Sequence, residues 1–367
     1  MSTNRRNFIK QVSAAGLASC MPGVFSSATP VVSGNAAPAL LKGNDSSIDN
    51  PSGDKIWSCF LHLSFNFAGG IDHPRWGNGV RTEFEPEQSV WDDAIKKMAE
   101  QKINMVVMNL DDSVMWQSHP EIALRNSWTP ERLREELAKI RKLGIEPIPL
   151  LNFSTAHDAW LGKYERMVST RPYYQVCRDL IAEAIEIFDT PRFFHFGMDE
   201  ETYNHQARRD YVVIRQNEQW WGDLFFYFSE AMMRGVRPWV WSDYLWHHPD
   251  MFFKMMPKYA VQSNWYYREN FNPQDENAKT YVKAYLDLNA EGYDQIPTAS
   301  NDAIMYGPNN NNKSIGNTVE FCSQHIDDKH LLGFLQSMWM PTIEKFRPNI
   351  MQTIELTGEA RRKFESK

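Results

Sequence analysis

Eight short runs rich in β-branched and aromatic residues, each followed by a stretch of helical periodicity, constrain this chain more than any other feature. The runs are Trp57 to Phe67, Ile103 to Leu110, Ile145 to Asn152, Arg192 to Met198, Arg237 to Tyr244, Tyr259 to Trp265, Ile296 to Ser300 and Leu331 to Met338. Every interval is long enough for a crossover helix, although the fifth unit is tight. Thr129 to Leu143 shows the helical pattern: Thr129 can cap, Pro130 suits the first helical position, and Leu133, Leu137 and Ile140 share one face. Eight consecutive βα units predict an α/β fold, the TIM (β/α)8 barrel, as a single domain. A doubly wound open sheet is the runner-up. It lacks a glycine-rich phosphate loop after the first strand, and the polar residues gather instead at the C-terminal ends of the strands. No internal repeat points to a solenoid.

The barrel is expected over residues 55–367, because what precedes it has another character. Arg5, Arg6, Phe8, Ile9 and Lys10 form a twin-arginine cluster, followed by uncharged small and apolar residues from Gln11 to about Val24. This looks like a twin-arginine export signal occupying residues 1–28. An amphipathic first helix is the alternative, but Gly16, Pro22 and Gly23 interrupt it. Leu17-Ala18-Ser19-Cys20 also resembles a lipoprotein box, which would place a lipid anchor on Cys20 instead of a cleavage near Ala28. Residues 29–54, rich in Ser, Ala, Pro, Gly and Asn, read as a flexible tether. A periplasmic protein, or one lipid-anchored at the cell envelope, is the expectation.

Charge narrows the partners. With 39 Lys and Arg against 46 Asp and Glu the chain carries a formal −7, and loss of Arg5, Arg6 and Lys10 with the signal makes it more acidic. A nucleic-acid or anionic-membrane surface is therefore not expected. No run after the signal approaches the roughly 20 apolar residues of a membrane span. Thirteen Trp and 14 Tyr exceed what a core of this size needs and suit a pocket for ring-shaped ligands. Cys59, Cys177 and Cys322, an odd number without close spacing, read as buried free thiols.

In a barrel of this kind the chemistry sits at the C-terminal rim. The fourth strand ends Phe194-His195-Phe196-Gly197-Met198-Asp199-Glu200. Strand alternation would put His195, Gly197 and Asp199 on one face, with Glu200 opening the following loop. Two adjacent carboxylates repel when both are ionised, which favours one charged and one protonated group. Glycosidic cleavage needs such a division: an acid for the leaving oxygen and an anion for developing positive charge.

At these residues the chain resembles glycoside hydrolase family 20, the β-N-acetylhexosaminidases, whose fourth strand carries a His-x-Gly-x-Asp-Glu signature. Gly144 to Pro149 with His157 is similar to that family's third strand, and Ile103-Asn104 to Asp111-Asp112 to its second. The ends Trp239-Val240-Trp241-Ser242-Asp243 and Val261-Gln262-Ser263-Asn264-Trp265 resemble its tryptophan-bearing strands, and Trp339 fits the eighth. The resemblance covers about residues 57 to 340. It implies a retaining, substrate-assisted mechanism without cofactor or metal, in which the sugar's own acetamido oxygen attacks the anomeric carbon. It implies Asp199 as orienter of the acetamido group and Glu200 as acid and then base. Trp241, Trp265 and Trp339 would wall the sugar, Tyr306 would hydrogen-bond the acetamido group, and His157, His195 and Asp243 complete the expected pocket. The expected partner is a glycan or amino-sugar oligosaccharide.

Two departures stand out. The family's first strand bears an arginine that grips sugar hydroxyls, where this chain has Leu63-Ser64-Phe65-Asn66-Phe67, with Arg75 and Arg81 in the next loop. Its eighth strand follows the tryptophan with a glutamate, where this chain has Met340-Pro341-Thr342. A carbohydrate-binding barrel without catalysis therefore stays open. So does a metal-dependent sugar-converting enzyme using Asp111, Asp112, Asp243, His157, His195 and Asp199. Taken alone, the Asp-Glu pair is also compatible with a helix cap or solvated turn, the two histidines with core positions, and the tryptophans with packing. Pro308 to Lys313 reads as a polar rim loop.

Overall fold

A computed structural model describes residues 54–66, 80–207, 209–301 and 311–367. The export signal, Cys20, nearly all of the tether, Phe67, Arg75, Tyr306 and the first part of the asparagine-rich loop lie outside the described residues.

All eight expected strands form. They are β1 (Ile56–His62), β2 (Met105–Asn109), β3 (Glu146–Leu150), β4 (Phe193–His195), β5 (Arg237–Trp241), β6 (Val261–Ser263), β7 (Thr298–Ala299) and β8 (Gly333–Gln336). Neighbours are parallel, in the order β6-β5-β4-β3-β2-β1-β8-β7. Isolated bridges Gln262–Gln295 and Trp265–Thr298 join β6 to the β7 side, so the sheet curls into a nearly closed barrel. This is the TIM-barrel architecture. The helices between strands are α1 (Gln88–Glu100), α2 (Pro130–Lys142), α3 (Arg171–Ile187), α4 (Tyr203–Gln206), α5 (Glu218–Met232), α6 (Tyr244–His247), α7 (Pro249–Met255), α8 (Lys279–Ala290), α9 (Ser314–His325) and α10 (Arg347–Glu365). The tight fifth unit accommodates its crossover with the two short helices α6 and α7.

Strand alternation divides the core into two layers. On β1 and β2, Ile56, Phe60, Met105 and Val107 fill the barrel interior, while Cys59, Leu61, Val106 and Met108 face the helices. Both faces are covered, so the strands are apolar on both sides. Helix α2 forms as its sequence requires: Thr129 Oγ1 accepts from Arg132 N at 3.2 Å, Pro130 takes the first turn, and Leu133, Leu137 and Ile140 are fully buried. Each such side chain contributes about 1.5–3 kcal/mol of burial. Among the described residues no helix is long and apolar enough to cross a membrane.

The fourth strand departs from expectation. Pairing stops at His195, and Gly197, Met198 and Glu200 take φ of 68°, 74° and 56°. The run to Glu200 is consequently a sharply turned rim and not an alternating strand, because side chains cannot alternate through left-handed backbone. Lateral bonds from Phe153 N to Phe196 O and from Trp241 N to Gly197 O, 3.1 Å each, still hold it against its neighbours.

Candidate active site

The turned rim places its two carboxylates around one imidazole. His157, in the loop after β3, has Nε2 at 3.4 Å from Asp199 Oδ2 and 3.3 Å from Glu200 Oε2. Burial alone would lower the imidazole, but the charge and hydrogen bonds of Asp199, followed by those of Glu200, outweigh it and hold His157 up at about 10. Burial would likewise raise Glu200; hydrogen bonds from His157 and His205 overcome it and hold the carboxyl down at about 2. The repulsion expected between Asp199 and Glu200 is thus relieved by an imidazolium between them.

Further residues fix this cluster. Asn152, just beyond β3, donates Nδ2 to Asp199 Oδ1 at 2.9 Å, while its Oδ1 accepts from Ser154 N and Met198 N at 3.0 and 3.3 Å. Ser154 Oγ also donates to the Asp199 carbonyl. Asp111, fully buried after β2, accepts from Asn152 N at 3.0 Å; burial holds its carboxyl well above the usual range. Asp243 accepts Glu200 N on Oδ2 at 2.8 Å, and burial followed by the nearby charge of Asp199 pushes it up to about 7. His205 on α4, capped by Thr202, reaches Glu200 Oε1 at 3.1 Å from the solvent side.

Gly197 is required by this packing. A Cβ there would stand 2.0 Å from Asn152 Oδ1, at a φ that L residues rarely adopt. Gly197→Ala should therefore cost about 1–3 kcal/mol of stability, read by denaturant unfolding. Displacement of the Asn152 amide from Asp199 should lower turnover on the order of tenfold to 100-fold. Wild-type stability and turnover in this variant would refute the requirement.

An aromatic wall stands at the same rim, tied to it by Trp241 N bonding Gly197 O. Trp241, at the end of β5, and Trp339, after β8, have ring centroids 6.1 Å apart, with Phe60 against both. Trp265 stacks on Tyr267 at 5.1 Å, and Tyr267 Oη accepts from Trp339 Nε1 at 3.1 Å. Tyr267 is buried, and its phenol is held well above its usual range mainly by burial and, to a lesser degree, by the charges of Asp199 and Glu200. It stands in the wall with Trp265 and Trp339, and Trp265-Tyr266-Tyr267 directly after β6 is the sequence signal that could have found it; Tyr306 lies outside the described residues. Asn152 and His205 were also missed. Asn152 closes the third strand run, and His205 stands five residues after Glu200.

Other expected residues are placed differently. His195 does not touch the carboxylates: its Nδ1 accepts from Gly197 N at 3.0 Å, its ring lies 4.3 Å from that of Trp241, and burial holds it well below its usual range. Asp112 is engaged by Ser64 Oγ and Asn66 Nδ2, both at 2.6 Å, so Asn66 ties the end of β1 to β2 and offers no clamp. Arg81 bonds Glu85 and the Phe65 carbonyl. The six residues of the metal alternative accordingly do not converge. One donor atom each from His157, Asp199 and Glu200 lies within 4.8 Å of the others, the one such group among the described residues, and these atoms are engaged with one another as ion pairs.

No family model and no curated protein sequence matches this chain. Solved structures do. The beta-N-acetylhexosaminidase from Bacteroides fragilis is 13% identical over 82% of this chain and 65% of its own, with a TM-score of 0.54. The chitobiase of Flavobacterium johnsoniae is 14% identical over 83% of this chain and 50% of its own, at 0.58. Dispersin B is 14% identical over 84% and 99%, at 0.53. What is shared is the fold. The barrel is the one found in glycoside hydrolase family 20 structures, and the chain spans about two thirds of the Bacteroides protein and half of the Flavobacterium one.

Proposed function

We propose that this chain is an exported, retaining glycosidase acting on N-acetylhexosamine-containing glycans by substrate assistance. The observation that carries the reading is His157 held between Asp199 and Glu200 at the barrel rim that also bears Trp241, Trp265 and Trp339. The aromatic faces receive the sugar ring and exclude water. Asp199, oriented by Asn152, accepts the acetamido N–H, so the carbonyl oxygen of that group attacks the anomeric carbon. Glu200 passes a proton to the departing glycosidic oxygen, drawing on the proton that it shares with His157 across 3.3 Å. The resulting oxazolinium ion is opened by water, which returns its proton to Glu200 and releases the sugar with retained configuration. Cleavage of the twin-arginine signal or lipidation at Cys20 belongs to the same proposal, and places the enzyme in the periplasm or on the envelope.

A panel of nitrophenyl sugars, assayed with and without chelator, tests the reaction. Hydrolysis of N-acetylhexosaminides alone, indifferent to chelator, is expected. A carbohydrate-binding barrel would hydrolyse none, and a metal-dependent enzyme would be silenced by the chelator. The same panel tests specificity. With Asn66 bound to Asp112 in place of a bidentate guanidinium, the site has lost a fork that separates epimers. Gluco and galacto N-acetylhexosaminides should differ by less than about tenfold in kcat/KM, roughly 1.4 kcal/mol. A preference of several hundredfold would show that other residues rebuild the clamp.

A further inference from the structure

The backbone that carries Asp199 and Glu200 is under strain. Met198 and Glu200 are non-glycine residues at φ of 74° and 56°, and left-handed residues of that kind persist only where their surroundings over-determine them. Asn152 holds the Asp199 side chain and Asp243 holds Glu200 N, but neither bond reaches the chain beyond Glu200.

One buried guanidinium does. Arg215, in the loop between α4 and α5, donates Nη2 to Glu201 Oε2 and its backbone N to Glu201 Oε1, both at 2.6 Å. The same Nη2 lies 3.9 Å from Met198 Sδ. Met198 and Glu201 are the residues immediately before and after the Asp199-Glu200 pair, so a single cation brackets it. Nη2 also donates to the Phe153 carbonyl at 2.8 Å, and Glu201 Oε2 accepts Thr155 N at 3.3 Å. Phe153 and Thr155 lie between Asn152 and His157 in the loop after β3. The segment that supplies the carboxylates and the loop that supplies the imidazole are therefore tied through one ion pair.

The fork is anchored from behind. Nη1 donates to Asp223 Oδ2 at 3.1 Å and to Tyr227 Oη at 3.0 Å on α5, and Ser169 Oγ, just before α3, donates to Asp223 Oδ2 at 2.6 Å. The side chains of Arg215, Glu201 and Asp223 are 2%, 5% and 1% exposed, so salt screens these pairs little. Burial works against the charge of Arg215, and Glu201 outweighs it. A planar fork meets all these partners at once, which a lysine ammonium at the same place could not. Buried ion pairs are weak evidence for stability; what this one visibly fixes is the chain on both sides of the two carboxylates.

We infer that Arg215, acting through Glu201, is a positioning residue that holds the Asp199-Glu200 turn against His157. The inference rests on the glycosidase reading above. Glu201→Gln and Asp223→Asn each remove one negative charge from the same guanidinium, but only Glu201 is joined to Glu200. On an N-acetylated disaccharide, Glu201→Gln should lose on the order of tenfold or more in kcat with KM changed less than about twofold, and Asp223→Asn less than about threefold. Arg215→Lys, which keeps the charge and loses the fork, should fall with Glu201→Gln. Equal losses in Glu201→Gln and Asp223→Asn, or lowered unfolding temperatures with unchanged kcat in both, would mark a network that serves stability alone and overturn the inference. If Glu201→Gln does not fold, Glu201→Asp takes its place, keeping the charge but withdrawing it by one methylene: a loss of about threefold or more supports the positioning role, and wild-type kcat rejects it.

Histidine NMR reads the same geometry without turnover. The titratable groups acting on His157 are Asp199, Glu200 and His205 from the β4 side and Asp111 from the end of β2. The imidazole, held up at about 10, should titrate about one pH unit lower or more in Glu201→Gln and stay in place in Asp223→Asn, its resonance assigned by its absence in His157→Gln. If wild type hydrolyses no N-acetylhexosaminide, the glycosidase reading is what fails, and this titration alone decides the positioning role. An unshifted His157 in Glu201→Gln, or in Glu201→Asp where that variant replaces it, rejects it.

Discussion

Glu200→Gln should lose on the order of 100-fold or more in kcat on glycans with poor leaving groups, because an amide cannot deliver a proton to the glycosidic oxygen. Its shape is preserved, and the amide oxygen can still accept from one of the two histidines, His157 and His205, that hold opposite oxygens of Glu200 at 3.3 and 3.1 Å. KM and the folded structure should therefore change little. Nitrophenyl substrates, whose leaving groups depart without protonation, should lose much less in the first step. That contrast separates a lost acid from a distorted pocket, since distortion would slow both classes alike. Steady-state rates on the two classes decide it, and a variant that cleaves a natural glycan at the wild-type rate would remove Glu200 from the mechanism.

Asp199→Asn should be nearly as damaging for a different reason. A carboxylate stabilises the positive charge that grows on the acetamido group, and a neutral amide does so far less well. Loss of one preorganised electrostatic partner typically lowers turnover on the order of 100-fold to 1,000-fold. The substitution also sets an amide against the Nδ2 of Asn152, which now donates to Asp199 Oδ1 at 2.9 Å. A thiazoline analogue of the oxazolinium ion should bind wild type tightly and the variant weakly, measured by competitive inhibition. Failure of the analogue on wild type, together with equal hydrolysis of plain glucosides, would point to an enzymic nucleophile.

The barrel was legible because its signals are local and repeated. Strand runs covered on both faces stand out wherever they occur, and Thr129-Pro130 announces α2 without help from the rest of the chain. The Asp199-Glu200 pair was legible from its signature. Its geometry was not, because alternation was carried through Gly197 and Met198, where the backbone turns left-handed. The partners of the pair outside its own segment come from two other loops: Asn152 and His157 after β3, and Asp243 after β5. Distances across a rim are set by barrel closure, which no local pattern encodes. Asn66 shows the converse. A residue at the position of an expected clamp proves to be a tie between β1 and β2, and only its bond to Asp112 distinguishes the roles.

The three buried thiols turn the barrel into its own unfolding clock. Cys59 on β1 lies against Thr357 of α10, Cys177 sits in α3, and Cys322 in α9 belongs to a separate apolar cluster with Trp57, Tyr285 and Phe334. Burial pushes Cys59 up to about 12 and the other two well above the usual thiol range, so in the closed fold none is an effective nucleophile. Alkylation of each thiol then waits for its own sector to open, and the order in which they are labelled ranks the local stabilities around the barrel wall.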